Sequence, residues 1–309
     1  MDRQTIETAE AVTESRVGAR AAYALSAVGM VWLAATLVTA HASVLGNSDS
    51  PAIALGAMAF ALPNVVAATL LAGGGLALAV AGRLAATAPP LRRLVAGLVA
   101  GAVLGGICAA LVVYGYGDTT SIARLATTIG AGALLGGAGA ALPRPVLAAG
   151  LLALVGVLLL GVAAGFVQPG LVGLFGAGRT LDSQVSAGWL AAYAVALVGG
   201  VAAGLLAFRM LRGYGPRPWP WYLLAGALPG LTLLATEVLT RAGGAALLDG
   251  VRSLSEGDQI AVDFSAFARL RNALVVTFVG GIAAMFAVGR TLRPAPDGDE
   301  AATDSDSED

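Results

Sequence analysis

Apolar positions in this chain gather into eight runs, near residues 22–41, 57–82, 94–114, 123–142, 146–167, 187–208, 221–240 and 272–289. Each approaches or exceeds the roughly 20 residues an α-helix needs to cross a bilayer core about 30 Å thick. The pattern predicts an all-α fold, a polytopic integral membrane helical bundle of about eight transmembrane helices. The first run ends in Ala40, His41 and Ala42, which has the small-x-small form of a signal-peptidase site. Its apolar stretch is about 19 residues, longer than the 7–15 of a signal core, and four acids dilute the charge before it, so it reads as an uncleaved first span.

Two runs strain that count. Residues 51–82 make about 32 weakly polar positions, roughly 48 Å of helix, interrupted by Pro63. The helix therefore either projects beyond the bilayer or breaks there. The stretch 170–178, rich in glycine, could dip into the outer leaflet without crossing, as half-membrane segments do where they face protein or water. Beyond the seventh run, Leu247, Leu248, Val251 and Leu254 share one helical face. This predicts a short amphipathic helix lying on the outer membrane surface, ended by Glu256-Gly257-Asp258, with Asp263 capping the next helix.

Glycines recur at four-residue spacing within the runs: Gly97, Gly101 and Gly105; Gly132 and Gly136; Gly161 and Gly165; Gly200 and Gly204; Gly226 and Gly230. In a bilayer this spacing lets helix backbones approach closely, so a tight bundle is expected. The same glycines do not read as phosphate-cradling loops, because they fall inside spans rather than between a strand and a helix.

Composition agrees with the pattern. Charged residues are 12% of 309 and hydrophobic ones 57%, against about 25% charged in a soluble domain. All 18 basic residues are arginine, which excludes lysine chemistry such as a P-loop ATPase or a Schiff base. That bias matches a GC-rich bacterial genome and places the protein in a bacterial cell membrane. One cysteine, Cys108, and one histidine, His41, exclude an intrachain disulfide and a Cys/His zinc cage. Cys108 lies in an apolar run and reads as a small buried hydrophobe. No cofactor, metal site or nucleic-acid partner is expected.

The net charge of -1 hides a division. Seven of the 19 acids lie in the tail after Arg293, leaving 18 basic residues against 12 acidic ones in the rest. Placing the N-terminus in the cytoplasm puts 12 arginines in inner segments, including Arg83, Arg92, Arg93, Arg144, Arg209, Arg212 and Arg290, as the positive-inside rule requires. Both termini are then cytoplasmic. Residues 1–21 form a cytoplasmic N-terminal segment, 22–290 the transmembrane domain with the outer amphipathic segment 241–271, and 291–309 a disordered acidic cytoplasmic tail. Trp219, Trp221 and Tyr222 form an interfacial aromatic belt at the start of the seventh span.

The sharpest chemical feature is Glu237, well inside an apolar run and four residues before Arg241. On a helix, Gly226, Gly230, Leu233, Leu234, Glu237 and Arg241 form one stripe. The glycines should face a neighbouring helix, so the carboxylate should point into the bundle. It lies about 24 Å from Trp221 along the axis, near the outer edge of the core. One reading is an ion pair with Arg241; the other is a proton or cation site at the mouth of a cavity. Asn64 is a further candidate for a solute-contacting side chain at a break in the second span. Thr127 and Thr128 are expected to bond back to their own helix, and interface placement accounts for His41. No nucleophile–base pair or metal cluster is visible, so no catalytic residue is assigned and the chain reads as a non-enzyme.

Two functions follow. One is a permease or transporter-like protein for a small solute or lipid, with Glu237, Arg241 and Asn64 near the path. The other is a non-catalytic scaffold or accessory subunit of a cell-envelope complex, or a homo-oligomer, with segment 241–271 and the acidic tail meeting the partner. The surrounding partner in either case is the lipid bilayer.

Overall fold

The computed structural model describes residues 3–47, 49–84, 89–117, 120–176, 180–215 and 217–291. The expected acidic tail lies outside the described residues from 292 onward. Eight α-helices follow one another: α1 (Arg3–Leu45), α2 (Pro51–Arg83), α3 (Pro90–Tyr116), α4 (Thr120–Ala138), α5 (Arg144–Leu174), α6 (Leu181–Arg212), α7 (Trp219–Arg252) and α8 (Glu256–Gly289), with a 3-10 turn at Gly139–Ala141 after α4. No strand occurs among the described residues. Seven of these helices are long and apolar enough to cross a membrane, and the chain is a multi-pass membrane helical bundle. The eighth, α4, has only 19 residues and is diluted by Arg124, Thr127, Thr128 and glycines.

Several local expectations are corrected. Helix α2 runs through Pro63 without a break for 33 residues. The ring costs a backbone hydrogen bond, which neighbouring helices can offset in a membrane bundle, and here Pro63 is itself buried. Helix α5 likewise passes Pro169 to Leu174, so most of the supposed half-span is simply its last turns. The amphipathic segment is not a separate surface helix. It is the continuation of α7, which runs unbroken for 34 residues, about 51 Å at 1.5 Å per residue. Its apolar face packs instead of lying on lipid: Leu248 and Val251 are buried with Ala59 of α2 and Val262 of α8. Glu256 and Asp258 begin α8 rather than ending α7, and the N-cap is Ser255, whose side chain accepts from the Asp258 backbone N–H. Asp263 lies inside α8, where it pairs with Arg252.

The glycine seams determine which helices touch. A Cβ at Gly97 or Gly101 would collide with the backbone of α4 at Gly137 or Ala133, and one at Gly136 with the Leu70 carbonyl of α2. In the second half of the chain, a Cβ at Gly204 or Gly226 would strike the Gly280 carbonyl of α8, and one at Gly230 would strike Thr277. Gly161 and Gly165 depart from the expectation, since nothing lies within 4 Å of a Cβ at either.

The pairing α1–α2, α2–α3, α3–α4 and α2–α4 recurs as α5–α6, α6–α7, α7–α8 and α6–α8. Each half buries its own cluster, around Leu104, Cys108 and Ile129 in the first and around Val157, Leu211 and Val276 in the second. The two four-helix halves meet mainly through α2 and α4 on one side and α5 and α7 on the other. The likeness is partial, since α5 also packs against α7 whereas α1 and α3 make no comparable contact.

Candidate functional site

Helix α7 starts after Pro218, with Pro220 in its first turn where a missing N–H costs nothing. Glu237 lies nearly five turns further on and is 3% exposed, the one buried acid among the described residues. Its carboxylate is shared by two arginines. Arg241 Nε donates to Oε1 at 2.8 Å from one turn along the same helix, and Arg269 Nε donates to Oε2 at 3.0 Å from α8. The glycine seam creates the second contact: Gly226 and Gly230 bring α7 against Gly280 and Thr277, which carries the N-terminal half of α8 to within reach of Glu237.

The burial is unequal. The Glu237 side chain is 4% exposed, whereas Arg241 is 52% and Arg269 31% exposed. A carboxylate withdrawn from water needs compensating charge and hydrogen bonds, and here both oxygens receive a charge-assisted bond. Both cations are far more exposed than the carboxylate that they hold. Thr236 bonds back to the Thr232 carbonyl at 2.9 Å, while the buried Thr240 hydroxyl has no hydrogen-bond partner in the protein.

Of the sequence candidates, the structure unites Glu237 and Arg241 and leaves Asn64 apart. Asn64 is exposed on α2, with buried Pro63 and Val65 on either side, and the bonded partners of Glu237 are the two arginines. Thr127 and Thr128 both bond back to the Arg124 carbonyl, at 2.8 and 2.7 Å. Arg269 escaped the sequence reading, although an arginine at the entrance to an apolar run was the available signal. Its distance along the chain concealed the pairing.

Two clefts of about 300 and 310 Å³ open in the bundle. The first is walled by α1–α4 and is apolar except where His41 and Tyr116 meet. His41 Nδ1 and the Tyr116 hydroxyl are 3.0 Å apart, and their rings contact edge to face. The second lies between α5, α6 and α8 and includes Gln168, Arg271 and Asn272. Under the shared helix pairing α5, α6 and α8 correspond to α1, α2 and α4, although α3 also lines the first cleft and α7 does not line the second. The second cleft alone carries a full charge. The Arg271 guanidinium stands over the rings of Trp189 and Tyr193, at 3.9 and 4.0 Å from their centroids.

At the same end of the bundle, Arg252 ties the tip of α7 to α8 through Asp263 at 2.7 Å and also meets Asp249 at 2.9 Å. At the opposite end Arg83 Nε meets the Tyr23 hydroxyl at 3.3 Å, and Arg144 donates to the Leu84 carbonyl at 2.6 Å. Among the described residues, no group of three His, Cys, Asp or Glu side chains is arranged to hold a metal ion. No protein-family model, curated protein or solved structure matches this chain.

Proposed function

We propose that this chain is a permease-like protein of a bacterial cell membrane, handling a small solute or lipid, and that Glu237 is its switch residue. The observation that carries the reading is the buried carboxylate held by Arg241 and Arg269 from two helices. Ionisable groups within spans are costly and concentrate on solute and proton pathways. Glu237 also lies on α7, a helix that bridges the two halves through its contacts with α2 and α4. Neutralising the carboxylate, or drawing one arginine to an anionic solute, releases the link between α7 and α8. Rocking of one half against the other is the motion this arrangement favours.

Thiol accessibility tests the reading. In a Cys108→Ser background, single cysteines at Leu233, Leu234 and Glu237 are treated with a membrane-impermeant maleimide. Labelling that extends inward from 237 to 233 supports a water-accessible path, whereas labelling confined to 237 rejects it. Gly226 and Gly230 are unsuitable probes because a Cβ at either meets α8 backbone.

One observation favours the alternative, a non-catalytic scaffold of an envelope complex. Helices α7 and α8 have 34 residues each, about 51 Å, well beyond a core about 30 Å thick. Their packed tips expose Ile260, Phe264 and Phe267, a surface suited to a partner. Loss of co-purifying protein from a Phe264→Ser, Phe267→Ser variant, with the maleimide pattern confined to 237, would select this reading.

A further inference from the structure

We propose that the cleft between α5, α6 and α8 binds a small amphiphilic oxyanion, with Arg271 as its charge partner. The inference stands whether or not the bundle transports a solute. Its first support is shape. Gly161, Gly165 and Gly188 line the cleft and a Cβ at any of them meets nothing within 4 Å, so these glycines leave space where the other seams close it. The volume of about 310 Å³ corresponds to roughly ten waters at about 30 Å³ each, at the small end of ligand sites.

The second support is an unfinished set of interactions. Arg271 is fixed between the Trp189 and Tyr193 rings, and such faces attract a cation without accepting its N–H bonds as an oxyanion would. Arg271 Nη1 is buried away from the cleft surface without a hydrogen-bond partner in the protein, and Arg271 reaches the cleft lining through its remaining atoms. The buried acid Glu237 has both oxygens engaged by Arg241 and Arg269, and among the described residues no carboxylate forms an ion pair with Arg271. Gln168 and Asn272 add side-chain amides to the lining, while Leu171, Val172 and Val195 supply apolar wall. A planar guanidinium beside amide donors suits a phosphate or similar oxyanion, and the wall suits a short hydrocarbon body.

The third support is the comparison between halves. The counterpart cleft has no charged residue in its lining, so the architecture of the repeat does not by itself demand a cation there. The charge is specific to the second cleft.

Binding of radiolabelled hexyl phosphate is measured by scintillation proximity on the full chain in phosphatidylcholine nanodiscs, with empty nanodiscs as the control. Saturable binding is expected, weakened at least tenfold by Arg271→Gln and by the cleft-filling Gly165→Leu. Inorganic phosphate should compete at least tenfold less well than hexyl phosphate. Repeating the titration in nanodiscs containing phosphatidylglycerol identifies the source: a raised apparent Kd marks a lipid headgroup, and an unchanged Kd marks a diffusing amphiphile. Absence of saturable binding overturns the proposal, as does binding that survives both substitutions. Should Arg271→Gln fail to give monodisperse protein, Gly165→Leu decides alone, since Gly165 lines the cleft and a Cβ there meets no neighbour within 4 Å.

Discussion

Arg269 reaches Glu237 across 32 residues of chain and takes Oε2 of its carboxylate at 3.0 Å, while Arg241 takes Oε1 at 2.8 Å. The consequence is that the two oxygens of one carboxylate are held from two different helices, by two cations where one would balance its charge. Removing Arg269 leaves a pair within α7, whereas removing Glu237 leaves two cations facing each other.

A double-mutant cycle with Glu237→Gln and Arg269→Gln is therefore expected to show coupling of about 0.5–3 kcal/mol in unfolding free energy, the range for residues in one salt-bridge network. Glu237→Gln should lower stability more than Arg241→Gln, because Arg241 is half exposed and exposed pairs contribute little. Steric-trapping unfolding in a defined bilayer mimic measures both. Zero coupling would mean that the α7–α8 link has no energetic weight.

The glycines divide into two classes with opposite expectations. Gly204→Val and Gly230→Val place a side chain against α8 backbone and should abolish monodisperse protein on size exclusion. Gly161→Ala and Gly165→Ala meet open space and should preserve it, gaining up to about 1 kcal/mol from reduced backbone entropy in the unfolded chain.

At the α7–α8 turn, Ser255→Ala removes the N-cap of α8 and should cost about 1 kcal/mol. Hydrogen exchange should rise in the first turns of α8. Asp263→Asn weakens the Arg252 link at an exposed position, so its effect should stay under about 1 kcal/mol.

Cys108 is 3% exposed within the first-half core. A thiol-reactive fluorophore should therefore report unfolding of that half, with labelling that is slow in the native protein and rises cooperatively on heating. Rapid labelling of the native protein would show that α3 and α4 part on the experimental timescale.

Length and hydropathy determine the class of this protein because the bilayer imposes them locally: a span needs its own apolar residues and its own backbone hydrogen bonds. Glycine spacing likewise foretells close packing at Gly101, Gly204 and Gly230, and four-residue spacing foretells the Glu237–Arg241 pair. Tertiary structure decides what depends on partners distant in the chain. It brings Arg269 to Glu237, leaves Asn64 on an exposed face, and turns Gly161 and Gly165 from a presumed seam into a cleft wall. It also carries α7 onward through the amphipathic segment, since Leu248 and Val251 find apolar partners on α2 and α8. A residue's own pattern specifies which face is apolar, but only the neighbouring helices determine whether that face meets lipid, backbone, a charge or open space.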